Sequence, residues 1–128
     1  MVAPLFFGVL FGIVEFGRAF MVQQILTNAS REGARAAILE SATTAEVVSE
    51  VQDYLTSATI PSDTATVAVT VTKSDATTST TLSEAGSGDP IEVLITVDYT
   101  DVSWIPSWFI PDTAVLSART IMLAERLQ

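Results

Sequence analysis

Residues 2–22 read VAPLFFGVLFGIVEFGRAFMV. Val2 to Val14 carries no charged side chain, and Ala3 to Val22 makes a run of about 20 residues, the length that crosses a bilayer core. Pro4 suits a first helical turn, where its missing N–H is harmless. The next proline is Pro61, so one helix from Pro4 to Glu40 is expected, about 55 Å long at ~1.5 Å per residue. Gly8, Gly12, Gly17 and Gly33 lower its intrinsic propensity, so packing must support it. No Lys or Arg precedes the apolar run, and the helical pattern continues to Glu40. Both features weigh against a cleaved secretory signal.

Glu15 and Arg18 interrupt the run three residues apart, on one helical face. Charges at bilayer depth are expensive and mark pairing or function. Two readings stay open. Arg18 snorkels to the headgroups with Glu15 following it, or Glu15 pairs with a cation of a neighbouring stem, its Arg18 or its N-terminal amine. Gly8 and Gly12 form G-x-x-x-G, a spacing that lets apolar helices approach closely. Beyond Val22 the pattern turns amphipathic, with Ile25, Ala29, Ala36 and Leu39 against Gln23, Asn28, Arg31, Glu32 and Arg35. The apolar stripe is free to pack on a head. The arginines read as a solvated face or as headgroup contacts.

Of the 128 residues 48% are hydrophobic and 16% charged, and the formal net charge is −9. After Arg35 the only bases are Lys73, Arg119 and Arg126. Nucleic-acid binding rests on Lys and Arg neutralising phosphates, so no nucleic-acid partner is expected. Cys and His are absent, which excludes disulfides, thiolate nucleophiles, Cys/His zinc sites and imidazole acid–base chemistry. No catalytic, cofactor-binding or metal-ligating set is expected. Glu92, Asp98 and Asp101 are the nearest to an acidic site, and their spacing matches no calcium loop.

The rest reads as a small head. Thr44 is the expected cap of a second helix with Val47, Val48, Val51, Tyr54 and Leu55 at helical spacing. Pro61 ends it. Val67, Val69 and Val71 alternate with threonines and Ala68, and Ile91, Val93, Ile95, Val97 and Tyr99 line one face of another strand. Val115 to Leu123 is expected as a third strand, with Leu116 and Met122 on the opposite face leaving the register open and a helix as the alternative. SDATTSTTLSEAGSGDP is a polar loop with turn residues Gly86, Gly88 and Pro90 and a short edge strand around Thr78 to Leu82. In WIPSWFIP, Trp104, Trp108 and Phe109 build either a satellite core or a contact between subunits. The expected fold is α+β: a long hydrophobic N-terminal helix (1–40), then an acidic head (41–128) whose antiparallel sheet packs on the short second helix and the lower stem.

Three phrases of the stem, Phe11-Gly12-Ile13-Val14-Glu15-Phe16-Gly17-Arg18, Val22-Gln23-Gln24 and Asn28-Ala29-Ser30-Arg31-Glu32-Gly33-Ala34-Arg35, closely resemble the N-terminal signature of TadE-like proteins. Gly88-Asp89-Pro90-Ile91 and Leu116-Ser117-Ala118 to Glu125 resemble later parts of that family more weakly. The resemblance implies a pilin-like pseudopilin or minor pilin of tight-adherence (Flp) systems, related to type IV pilins. Such proteins are inserted in the bacterial cytoplasmic membrane, trimmed by a prepilin peptidase and assembled by a secretion ATPase, and they act in pilus biogenesis, adherence and surface colonisation. Family precursors carry a basic leader and a V-E-F-A-like phrase before the proline-led run. This chain opens Met1-Val2-Ala3-Pro4, which implies either processing or a sequence that begins within a longer one.

The expectation is therefore a structural subunit. It enters the membrane, then joins copies or related pilins in an extracellular helical filament, with Gly8, Gly12, Glu15 and Arg18 packing the stems. The alternative is a membrane-anchored envelope binding module that does not polymerise. An enzyme with an acidic site at Glu92, Asp98 and Asp101 is the remaining rival.

Overall fold

The computed structural model describes residues 1–39, 41–58, 60–61, 64–98 and 115–125. Tyr99, Asp101 and the aromatic loop with Trp104, Trp108 and Phe109 lie outside the described residues. The elements follow as helix α1 (Val2–Ala37), helix α2 (Thr44–Ser57) and strands β1 (Ala65–Thr72), β2 (Thr78–Ser79), β3 (Pro90–Asp98) and β4 (Val115–Leu123). The four strands form one antiparallel sheet in the order β2-β1-β3-β4. This is the α+β class expected.

Helix α1 is continuous through all four of its glycines, and burial divides it at Val22. Up to Met21 its large apolar side chains are exposed on every side, whereas Val22, Leu26, Ala29, Ser30, Gly33, Ala34 and Ala37 are buried. These lower positions recur at three- and four-residue spacing and form the single stripe an amphipathic helix presents to a core. They lie against β4, α2 and β3. Gly33 lets α2 come close. A methyl group there would sit 2.5 Å from Val51 Cγ2 and 3.2 Å from Val93 Cγ1.

Thr43, not Thr44, caps α2. Its backbone is extended, its Oγ1 accepts the Glu46 amide at 3.2 Å, and its own amide donates to Glu46 Oε2 at 3.0 Å. This reciprocal box needs an acid three residues after the cap, and only Thr43 has one. Thr44 is used elsewhere: its Oγ1 donates to the Thr80 carbonyl at 2.9 Å and accepts from the Leu82 amide at 3.0 Å, pinning the 80–82 loop. The buried face of α2 is Val47, Val51 and Leu55.

The sheet follows the period-two pattern. Val67, Val69 and Val71 pair with Ile95, Val93 and Ile91, and those with Ala118, Thr120 and Met122. Of these residues Val69, Val71, Ile91, Val93, Ile95 and Ala118 are core. Strand β4 turns Leu116, Ala118, Thr120 and Met122 inward and leaves Val115, Ile121 and Leu123 exposed, which fixes the register left open by composition. The small inward residues admit α1: Ser30 Oγ lies 2.7 Å from Thr120 Oγ1. Gln23 Nε2 donates to the Ser117 carbonyl at 2.8 Å, and the Glu125 amide donates to the Ile38 carbonyl at 3.3 Å. The stem thus runs beside β4 and covers part of an edge that would otherwise invite pairing.

The polar 73–89 stretch contains the two-residue β2 and a single turn of 3₁₀-helix, Leu82–Glu84, that buries Leu82. Pro90 is the first residue of β3 rather than a turn residue, a position where a missing amide is tolerated. Ala76 adopts φ 67° in the turn that Lys73 and Thr77 close. Gly88, at φ 84°, makes the turn before β3.

Candidate functional site

Among the described residues, the first twenty of α1 are the stretch least buried in the fold. Leu5, Phe6, Phe7, Val9, Leu10, Phe11, Ile13, Val14, Phe16, Phe20 and Met21 are all exposed. A helix apolar on every side in water has no stable resting state, and each large side chain left exposed forgoes about 1.5–3 kcal/mol of burial. By length and composition α1 is able to cross a membrane.

Gly8 and Gly12 have no atom within 4 Å of where a Cβ would stand, and the same holds for Gly17. Each costs α1 about 0.8–1.0 kcal/mol relative to Ala, and no contact among the described residues repays it. Contrast Gly33, whose missing Cβ is filled by Val51 and Val93. Glu15 is the one buried side chain between Val2 and Met21, at 8% exposure, and Arg18 is half-buried. The structure thus sets the two glycines on one open face and the two ionic groups one turn further along the same stem.

The acidic residues of the head do not converge. Glu92 and Asp98 point to the same sheet face but stand six residues apart on β3, roughly 20 Å at the rise of an extended strand. Glu92 lies 3.9 Å from the Arg119 guanidinium, and Asp101 is outside the described residues. Among the described residues no three acids gather as a metal site. The polar cluster that does form closes the β1–β2 turn. Lys73 Nζ donates to Glu84 Oε2 at 2.6 Å, while Asp75 Oδ1 accepts from Thr77 Oγ1 at 2.6 Å and from the Thr77 amide at 3.0 Å. The hydrogen bonds from Lys73 and Ser79 hold the Glu84 carboxyl below its ordinary range, those from Thr77 do the same for Asp75, and Glu84 pushes the Lys73 ammonium up. These groups are exposed and serve the turn.

Fold and surface together define a stem-and-head protein: a compact α+β head carrying a bare apolar rod able to enter a membrane. Residues 1–35 match the family model TadE, TadE-like protein, in agreement with the resemblance carried by the three stem phrases. The match falls on the apolar span and its amphipathic continuation, and points to a Tad pilus-associated protein with an N-terminal apolar helix; the family is not one of enzymes. Comparison with curated proteins and with solved structures gave no match. Sequence reasoning singled out the stem residues but missed Ser30 and Thr120, whose hydroxyls lock stem to sheet, because their pairing depends on how α1 crosses β4.

Proposed function

We propose that the chain is a structural subunit, a pilin or pseudopilin of a Tad or type IV-like pilus, that enters the cytoplasmic membrane by α1 and then bundles this helix with other copies or related pilins in an extracellular filament. One observation carries the reading: the large apolar residues up to Met21 surround the helix and stay exposed among the described residues, while the same helix from Val22 on is built into the head. A rod so attached cannot fold back without tearing the core. Lipid satisfies it before assembly and neighbouring stems afterwards. In lipid, apolar surface alone does not draw helices together; close packing does. Gly8 and Gly12 supply that close approach, and Glu15 and Arg18 satisfy each other or a neighbour's charge inside the bundle. Trp104, Trp108 and Phe109 are the further interface residues of this reading. Prepilin peptidase and the pilus assembly machinery are its partners, and adhesion or surface colonisation its role.

The test is electron microscopy of the full chain after detergent removal, alongside sheared cell-surface material probed for this chain by mass spectrometry. Filaments containing the chain are expected. A single compact particle without detergent overturns the reading. Membrane-bound protein that never appears in filaments supports the non-polymerising anchored module instead.

A further inference from the structure

Two exposed surfaces of the head carry opposite net charge. The first is the outer face of lower α1. Arg31 and Arg35 are exposed there, one turn apart, opposite the buried Ser30, Gly33, Ala34 and Ala37. The second is the outer face of α2, where Glu46, Glu50 and Asp53 follow at helical spacing and are exposed. Arg31, Arg35, Glu46, Glu50 and Asp53 take part in no ion pair among the described residues. Like charges three or four apart on a helix repel by a few tenths of a kcal/mol per pair. The acidic stripe therefore holds repulsion that an opposing basic surface would relieve, while on α1 the exposed Glu32 stands three residues from Arg35 and leaves that face with one net positive charge.

The acidic stripe also has a shape. Between α1 and α2 lies a cleft of about 180 Å³ lined by the apolar Ala36, Leu39, Ala42 and Val47 and by Glu46 and Glu50. Leu39 is 60% exposed. The capping bond from the Thr43 amide fixes the Glu46 carboxylate in place, and a carboxylate retains further acceptor sites after one such bond. An apolar lining that includes two carboxylates suits an arginine, whose methylenes line apolar surface while the guanidinium fork meets carboxylate oxygens. The cleft adjoins the C-terminal end of α1, where the helix dipole also favours a cation.

We propose that this cleft receives the Arg31/Arg35 face of a second copy of the chain. Both pairs repeat at four residues, about 6 Å along a helix axis, so two guanidinium groups meet two carboxylates in register. The donor and acceptor surfaces are built from different residues, Arg31 and Arg35 on one and Glu46 and Glu50 on the other. Their contact is heterologous, and heterologous contacts that do not close propagate into open helical polymers. The inference rests on the filament reading and adds a head-to-head contact to the packing of the stems.

The test uses three full-length variants: Arg31→Glu/Arg35→Glu, Glu50→Arg, and all three changes together. Glu46 is left alone because it caps α2. Each partial reversal is expected to lower filament yield at least about tenfold, and the combined variant to recover at least about threefold over either, since charge reversal across an interface acts on both signs at once. Thermal unfolding of each variant close to wild type verifies that the heads are intact. Partial reversals that filament normally, or a combined variant no better than either parent, overturn the inference while wild-type filaments leave the filament reading standing. Unchanged filaments together with weaker retention of Arg31→Glu/Arg35→Glu on phosphatidylglycerol vesicles also overturn it and assign the arginines to lipid. Absence of filaments from the wild type takes down both.

Discussion

At Gly33 two opposing effects can be weighed. Alanine would raise the helix propensity of α1 by about 0.8–1.0 kcal/mol. Its methyl would also stand 2.5 Å from Val51 Cγ2 and 3.2 Å from Val93 Cγ1. Valine has little rotamer freedom with which to yield, and overpacking a tight site costs typically about 1–3 kcal/mol. The clash wins. Gly33→Ala is expected to destabilise the head by about 1–2 kcal/mol in urea unfolding, and a variant more stable than wild type would mean that α1 and α2 separate without loss. The β1–β2 turn makes a different prediction, one of titration. Glu84 and Asp75 have lowered folded values, through hydrogen bonds from Lys73 and Ser79 and from Thr77. Their contribution to the turn is present above their ordinary values of 4.5 and 3.8 and is lost as pH falls through the lower folded ones. Lys73→Met should move the Glu84 midpoint upward by NMR, with Ser79 keeping part of the shift and Asp75 moving little. An unmoved Glu84 would show that the 2.6 Å contact is not held in solution.

The elements differ in how far their composition reveals them. Strands β1 and β3 are legible because an antiparallel sheet with one buried face needs the alternation that Val67–Val71 and Ile91–Val97 display. Strand β4 is legible as a strand but not by face, since Val115, Ile121 and Leu123 compete with Leu116 and Met122. What decides is the bulk of the residues between them: Ala118 and Thr120 leave room for α1 and a partner for Ser30. The cap of α2 was readable, for Glu46 stands three residues after Thr43 and four-residue patterns of that kind mark a capping box. The cleft at the α1–α2 junction was not, because it depends on the crossing of two helices. For α1, the contrast among its glycines carries a prediction. Gly33 is filled by neighbours, while Gly8 and Gly12 face open space. Gly8→Leu/Gly12→Leu should leave head stability within about 0.5 kcal/mol, as for other changes away from packed sites, and should lower filament yield by keeping stems apart. Unchanged filaments would remove the two glycines from the assembly surface.

The whole molecule is one helix serving two environments. From Val22 downward α1 is a core element, fixed by apolar burial, by Gln23 on the Ser117 carbonyl and by Ser30 against Thr120. Above Met21 the same helix buries a single side chain, Glu15, and offers the rest to its surroundings. The continuity makes the head a handle on the rod: displacement of the rod is transmitted to α1's contacts with β3, β4 and α2 without a hinge, since no proline follows Pro4 until Pro61. It also allows the two parts to be separated by a cut. A chain of residues 22–128 keeps every core residue from Val22 to Ala124, and a head of this length exceeds the size at which a single core becomes marginal. It loses the exposed apolar surface of the rod together with Glu15 and Arg18, and keeps only the scattered Leu39, Val115, Ile121 and Leu123 among the exposed large apolar side chains of the described residues. The truncated chain is expected to be a detergent-free monomer by light scattering, to unfold cooperatively within about 1 kcal/mol of the full chain, and to be lost from membranes and filaments alike. A truncated head that failed to fold would show that the rod supplies stability as well as attachment. A truncated head that still polymerised would move the assembly surface off the rod and onto the head.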